Sequence, residues 1–135
     1  MISLSASAII TNEKNEILLI KGPKRGWEFP GGVVESNETI EEAVIREVKE
    51  ETGYNVRVNH ICSVHHNLKE NVLNVVFLGE KINGNAKTST ESIIVGFYSK
   101  NEASKMVNYS NFMERIKSCF DSKNILVKEL ITNIK

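Results

Sequence analysis

GGVVESNETIEEAVIREVKEETGY, residues Gly31 to Tyr54, decides how this chain is read. Ile40, Ala43, Val44 and Val48 recur at helical spacing and, at about 100° per residue, share one apolar face. Ser36 or Asn37 is a suitable N-cap, Glu38 sits in the first turn, where negative charge is favoured, and Gly53 follows the last periodic residue as a C′ glycine does. The segment therefore predicts a helix whose last turn is anomalous. Glu47, Glu50 and Glu51 crowd the end where the helix dipole is negative, which disfavours each anion by roughly 0.3–1 kcal/mol, and they repel one another at i, i+3 and i+4 spacing.

On the same wheel Glu47 and Glu51 fall within about 20° of Ile40 and Glu50 within about 80°, whereas Glu42, Arg46 and Lys49 point the other way. The acids thus continue the inward face. A run of Glu and Lys on a helix is ordinarily a solvated face, but carboxylates aimed at the protein body must be paired or must bind a metal. Arg46 is the nearest cation in sequence, and it points away from Glu51. Hard oxygen ligands clustered without histidine or thiolate suit Mg²⁺ or Mn²⁺ better than zinc.

The spacing Gly32, five residues, Glu38, seven residues, Arg46-Glu47-Val48, one residue, Glu50-Glu51, one residue, Gly53 and Tyr54 resembles the Nudix box of the Nudix hydrolases. Every fixed polar and glycine position is present. Tyr54 departs from the usual Ile, Leu or Val and is apolar enough to pack. Gly26-Trp27-Glu28-Phe29-Pro30-Gly31-Gly32 resembles the family's approach to the box, and Glu91 before Ile93 to Phe97 resembles its later acidic position.

The resemblance reaches about residue 105 and looks most like the small, single-domain, MutT-like branch. It implies divalent-cation-dependent hydrolysis of a nucleoside diphosphate linked to another moiety. It further implies that Glu47, Glu50 and Glu51 ligate metal ions with the Gly31 carbonyl, that Arg46 orients a box glutamate, and that Glu38 is structural. The general base would be Glu47 or Glu91, although an exposed acid beside a strand is an equal reading of Glu91.

That chemistry suits the ligands. A phosphoanhydride is anionic and repels water-derived nucleophiles, so catalysis means neutralising its oxygens and holding a water in line with phosphorus. Bound Mg²⁺ can polarise the phosphoryl oxygens and acidify a water. Lys24 and Arg25, in the loop before Trp27, are candidates to meet substrate phosphates, or are simply a basic turn between strands. Pro30-Gly31-Gly32 offers a turn that can expose its carbonyls. Trp27 either stacks on a base or fills the core, and core is the favoured reading.

The remaining sequence bounds the possibilities. A chain of 135 residues is expected to form one domain, residues 1–135, large enough to bury about two thirds of its unfolded surface. Seventeen basic and seventeen acidic residues balance, so no broad positive field favours polymeric nucleic acid over a small nucleotide substrate. Cys62 and Cys119 form no CxxC, which predicts buried reduced thiols. No apolar run approaches a membrane span, and Met1 to Ile10 lacks the basic start of a secretion signal, so a cytoplasmic protein without membrane contact is expected.

Ser3 to Thr11 and Ile17 to Ile20 read as strands of a hairpin turned at Asn12 to Asn15. Asn55 to Val64 and Val72 to Leu78 read as strands around a polar turn at Asn67 to Asn71, and Ile93 to Tyr98 as another after Asn83-Gly84-Asn85. Ser99 to Val107 begins a loop or short helix. Tyr109, Phe112, Met113, Ile116 and Phe120 follow helical spacing, and Ile125, Leu126, Leu130, Ile131 and Ile134 do so again, suggesting a final helix that could cover a homodimer interface. His65 and His66, adjacent on a strand, face opposite ways and cannot easily chelate one ion.

The expected fold is a three-layer α/β/α sandwich with a mixed sheet, as the resemblance also implies. The expected reaction cuts a nucleoside triphosphate, an oxidised 8-oxo-dGTP-like one included, to the monophosphate and pyrophosphate. ADP-ribose or a nucleotide sugar is the runner-up substrate. A module that senses a nucleotide without cleaving it is the rival from another class, opposed by the intact box acids.

Overall fold

Alternation along β1 (Ser3–Thr11) sets the layers: Ala6, Ala8 and Ile10 face one side of the sheet and Ile9 the other, all fully buried. The computed structural model describes residues 1–107, Ile116, Cys119, Phe120 and the backbone of residues 126–130. After β1 come β2 (Ile17–Lys21), β3 (Trp27–Glu28), β4 (Gly31–Val33), α1 (Ile40–Thr52), β5 (Tyr54–Asn67), β6 (Val72–Gly84), β7 (Ile94–Tyr98), α2 (Lys100–Met106) and β8 (Leu126–Leu130).

The sheet runs β3-β2-β1-β6-β5-β8, with β4 also on β1 and β7 also on β2. β6 lies parallel to β1 from Ser3↔Val72 to Thr11↔Glu80, and β4 lies antiparallel on β1's other edge from Ser5↔Val33 to Ser7↔Gly31. The β1–β2 hairpin turns at Asn15, whose φ is 61°, while the Asn12 carboxamide oxygen accepts the Lys14 and Glu16 N–H groups at 3.0 and 2.9 Å. β2 is then flanked by β3 and β7, both antiparallel to it.

Helix α1 packs on β1, β4 and β5, and α2 on β2 and β7. Val44 and Val48 join Ala6, Ala8, Ile10, Leu18 and Phe77 on the α1 side. Ile9, Ile17, Leu19, Phe29, Val76 and Ala103 form the core on the other side, with Trp27 and Tyr98 against it. This is the expected α/β/α sandwich with a mixed sheet.

Several expectations need correction. The N-cap of α1 is Thr39, not Ser36 or Asn37; Thr39 and Glu42 form a reciprocal capping box, and Asn37 instead takes φ 66° in the preceding turn. Of the loop or short helix expected from Ser99 to Val107, the short helix is present, with Ser99 as its N-cap and the same device closing on Glu102. The final segment is not a helix where it is described: Leu126–Leu130 is a strand parallel to β5, so a ladder of backbone hydrogen bonds on β5's outer edge overrides the helical spacing. Tyr109 to Met113 lie outside the described residues.

Cys62 and Cys119 are joined in a disulfide that bridges 57 residues, with Cα atoms 4.8 Å apart. They are buried as expected, but they are not free thiols. The bond withdraws the argument for a reducing compartment drawn from their spacing.

Candidate active site

Gly53 stops α1 with φ 84°, a left-handed value that only glycine adopts freely, and its N–H returns to the Lys49 carbonyl. That stop leaves the last turn, with Glu47, Glu50 and Glu51, beside the Pro30-Gly31-Gly32 stretch. Glu51 is 7% exposed, and one carboxylate oxygen accepts the Gly31 N–H at 2.9 Å. Gly32 touches Glu47 so closely that a Cβ there would stand 2.5 Å from the carboxyl carbon. A side chain at Gly31 would strike the β1 backbone at Ala6 and Ser7. Two glycines thus let β4 run between β1 and the acids.

Arg46 binds more of this site than the helical wheel allows. Its guanidinium forks onto both oxygens of Glu38, at 2.6 and 3.1 Å, and donates to Glu47 at 2.9 Å, to Glu50 at 3.0 Å and to the Val33 carbonyl at 3.3 Å. A long arginine reaches round the helix where its Cα direction points away. Glu38 also accepts the Glu35 N–H, so it braces Arg46 and the turn together, the structural part expected of it. Glu50 is the acid least like its expectation: its side chain is 59% exposed, at the rim beside Arg46.

Burial pushes the Glu51 carboxyl up to about 8, opposed by the Gly31 N–H and reinforced by the charges of Glu47, Glu28 and Glu91. Burial likewise raises Glu47, which Arg46 counters and Glu50 and Glu91 augment. Glu91 is exposed, in the loop between β6 and β7, yet its charge reaches both box acids.

Glu28 received no role from sequence, although a signal existed. Trp27 and Phe29 belong to the α2-side core, so strand alternation turns Glu28 to the opposite face, toward Glu51. Arg25 stands 3.7 Å from Glu28 and so lies at the margin of the acid cluster. Lys24 is exposed in the same loop. Trp27 packs edge-on to Tyr98 with ring centroids 5.3 Å apart, as the core reading expects. His65 is buried with Nε2 2.9 Å from Ser63 Oγ, whereas His66 sits 3.3 Å from Asn71, so the pair does not share a site.

The donor set can be tested against a hard divalent cation. Glu47, Glu51, Glu28 and Glu91 are oxygen donors whose mutual repulsion and burial hold Glu51 toward its neutral form, a tension that a bound dication would relieve. In kind the donors fit. Among the described residues, however, no three His, Cys, Asp or Glu side chains already converge within reach of one ion, and Arg46 holds Glu47 and Glu50.

The NUDIX domain family model matches residues 1–115. This chain belongs to the Nudix family. A MutT-like protein of Streptomyces ambofaciens is 36% identical over 104 residues, 76% of this chain and 68% of that protein. An ADP-ribose pyrophosphatase of Methanocaldococcus jannaschii is 36% identical over 105 residues, 72% of this chain and 62% of that protein. The solved structure of the MutT protein from Methanosarcina mazei Go1 superposes with a TM-score of 0.68 at 32% identity, covering 77% of this chain and 81% of that one. Nudix hydrolases generally use a divalent metal.

Proposed function

We propose that this Nudix hydrolase cleaves a nucleoside triphosphate, oxidised purine nucleotides included, with water to give the nucleoside monophosphate and pyrophosphate. The observation that carries the reading is the burial of Glu51 against the Gly31 N–H with Glu47, Glu28 and Glu91 around it. Carboxylates are gathered there against their own repulsion, which has a use only if a cation and an anionic substrate follow.

Glu47, Glu50, Glu51 and the Gly31 carbonyl are our candidates to hold Mg²⁺ or Mn²⁺. When bound, the metal supplies Lewis acidity toward the phosphate oxygens and toward a water. Arg46 holds the Glu47 carboxylate in place. Glu47, raised by burial, is suited to take the proton of the attacking water near neutral pH, with Glu91 as the other candidate base. Arg25 and Lys24, exposed in the loop before β3, are our candidates to meet the outer phosphates; Trp27, packed in the core against Tyr98, is left without a substrate role.

A second substrate, ADP-ribose, is favoured by the pyrophosphatase relative at 36% identity. Both readings are tested by one panel in Mg²⁺ or Mn²⁺: canonical and oxidised nucleoside triphosphates, ADP-ribose and nucleotide sugars, with products separated by ion-exchange chromatography. Pyrophosphate with nucleoside monophosphate supports the first reading. AMP with ribose 5-phosphate supports the second. No turnover of any member would leave a sensing module in their place.

A further inference from the structure

The loop that carries Glu91 is tied to α1 by two serines. Ser92 is fully buried, and its hydroxyl donates to the backbone carbonyl of Glu51, 41 residues away. That carbonyl is one of the four at the end of a helix with no partner inside it. A second is taken by the same loop, where the Lys87 N–H donates to the Thr52 carbonyl at 2.9 Å.

Because the single Ser92 proton goes to Glu51, the 2.8 Å contact between the two hydroxyls has only one sense: Ser89 donates and Ser92 accepts. The Ser89 oxygen in turn accepts the Glu91 N–H at 3.2 Å and the Ser92 N–H at 3.1 Å, which fills both its lone pairs. The Ser89 N–H closes the turn on the Ser92 carbonyl at 2.9 Å. Beyond it, Ile93 donates to the Lys21 carbonyl at 2.8 Å, and the Glu91 carbonyl rests where a Cβ on Gly22 would stand 3.0 Å from it. The Glu91 N–H is therefore held by its own turn, while its neighbours tie the segment to β2 through Ile93 and, through Ser92, to the very residue whose carboxylate faces Gly31.

We infer that Ser92, relayed by Ser89, is a positioning residue that sets Glu91 relative to Glu47 and Glu51 by locking its loop to the end of α1. The inference deepens the hydrolase reading above and rests on it. Ser92 touches no reacting atom; it acts through Glu91. Shifting a group in such a constellation by about an ångström can lower turnover roughly a hundredfold without removing any of its members.

The test is a double-mutant cycle of Ser92→Ala with Glu91→Gln on the full chain, read by kcat, KM and Mn²⁺ affinity from electron paramagnetic resonance. Ser92→Ala alone should lower kcat by about tenfold to a hundredfold with KM moved less than about threefold. In the Glu91→Gln background the same change should cost less than about twofold, because its target is already gone. Ser89→Ala, at a half-buried position, should show the same non-additivity, and it carries the test if Ser92→Ala does not fold by circular dichroism. Equal losses in both backgrounds, or an unchanged kcat, would overturn the inference while leaving the hydrolase reading intact. A wild type that turns over no substrate would sink the hydrolase reading and this inference together.

Discussion

Replacing Glu51 by Gln sets folding against chemistry, since this carboxyl serves one at the expense of the other. Its pKa is raised from an ordinary 4.5 to about 8 by burial and by Glu47, Glu28 and Glu91. A group raised on folding contributes stability that is fully present below its unfolded pKa and is lost as pH climbs through the folded one. For Glu51 the window therefore runs from pH 4.5 to about 8, and the metal-free protein should weaken across it. At about 1.4 kcal/mol per pH unit, the loss by pH 7 is on the order of 3 kcal/mol.

The amide of Glu51→Gln can still accept the Gly31 N–H but cannot ionise. In a chelator, the variant should melt about 10 °C above wild type at pH 7, given roughly 3 °C per kcal/mol for a chain of this size, and level with it near pH 4. Differential scanning calorimetry across that range measures the divergence directly. Mn²⁺ should then raise the wild-type midpoint and barely move the variant's, while turnover in the variant falls by about 10²–10⁴. Melting curves that stay parallel from pH 4 to 8, or a variant less stable at pH 7, would refute the electrostatic account of this residue.

Gly32→Ala puts a methyl 2.5 Å from the Glu47 carboxyl carbon; overpacking should cost about 1–3 kcal/mol in urea unfolding, with turnover falling at least about tenfold as Glu47 is displaced. Arg46→Lys keeps the charge but cannot fork onto Glu38 while reaching Glu47 and Glu50; equilibrium unfolding should report about 2 kcal/mol of lost stability. Reduction of the Cys62–Cys119 bond, which closes a loop of 57 residues, should remove up to about 4 kcal/mol. The melting temperature with and without a phosphine reductant measures it, and Cys62→Ala should not respond.

Short-range signals in the sequence were legible, although β5 and β6 run on to Asn67 and Gly84, past the expected Val64 and Leu78. The β1 strand, the Asn12 to Asn15 turn, the apolar face of α1 and its stop at Gly53 each depend on neighbours a few positions apart. The N-cap was misplaced because Ser36, Asn37 and Thr39 all bear suitable side chains, and only the position of Glu42 three residues on singles out Thr39. What could not be read was set by distant partners. Ser92 meets Glu51 across 41 residues, Cys62 meets Cys119 across 57, and Leu126–Leu130 becomes a strand because β5 presents an edge to it. Glu50 shows the limit of a wheel: its angle is marginal, and a long Arg46 settles it outward.

The pairing of β8 on β5 has a consequence for how the molecule is made. Residues 63–67 of β5 carry backbone donors and acceptors that meet their partners only when residues 126–130 arrive, and parallel pairing between segments so remote in sequence is intrinsically slow to form. Until it does, a nascent or partly unfolded chain shows a bare strand margin on which a second copy could add its own. Crowded synthesis at high temperature should therefore yield inclusion bodies sooner than any weakness of the mature core would suggest.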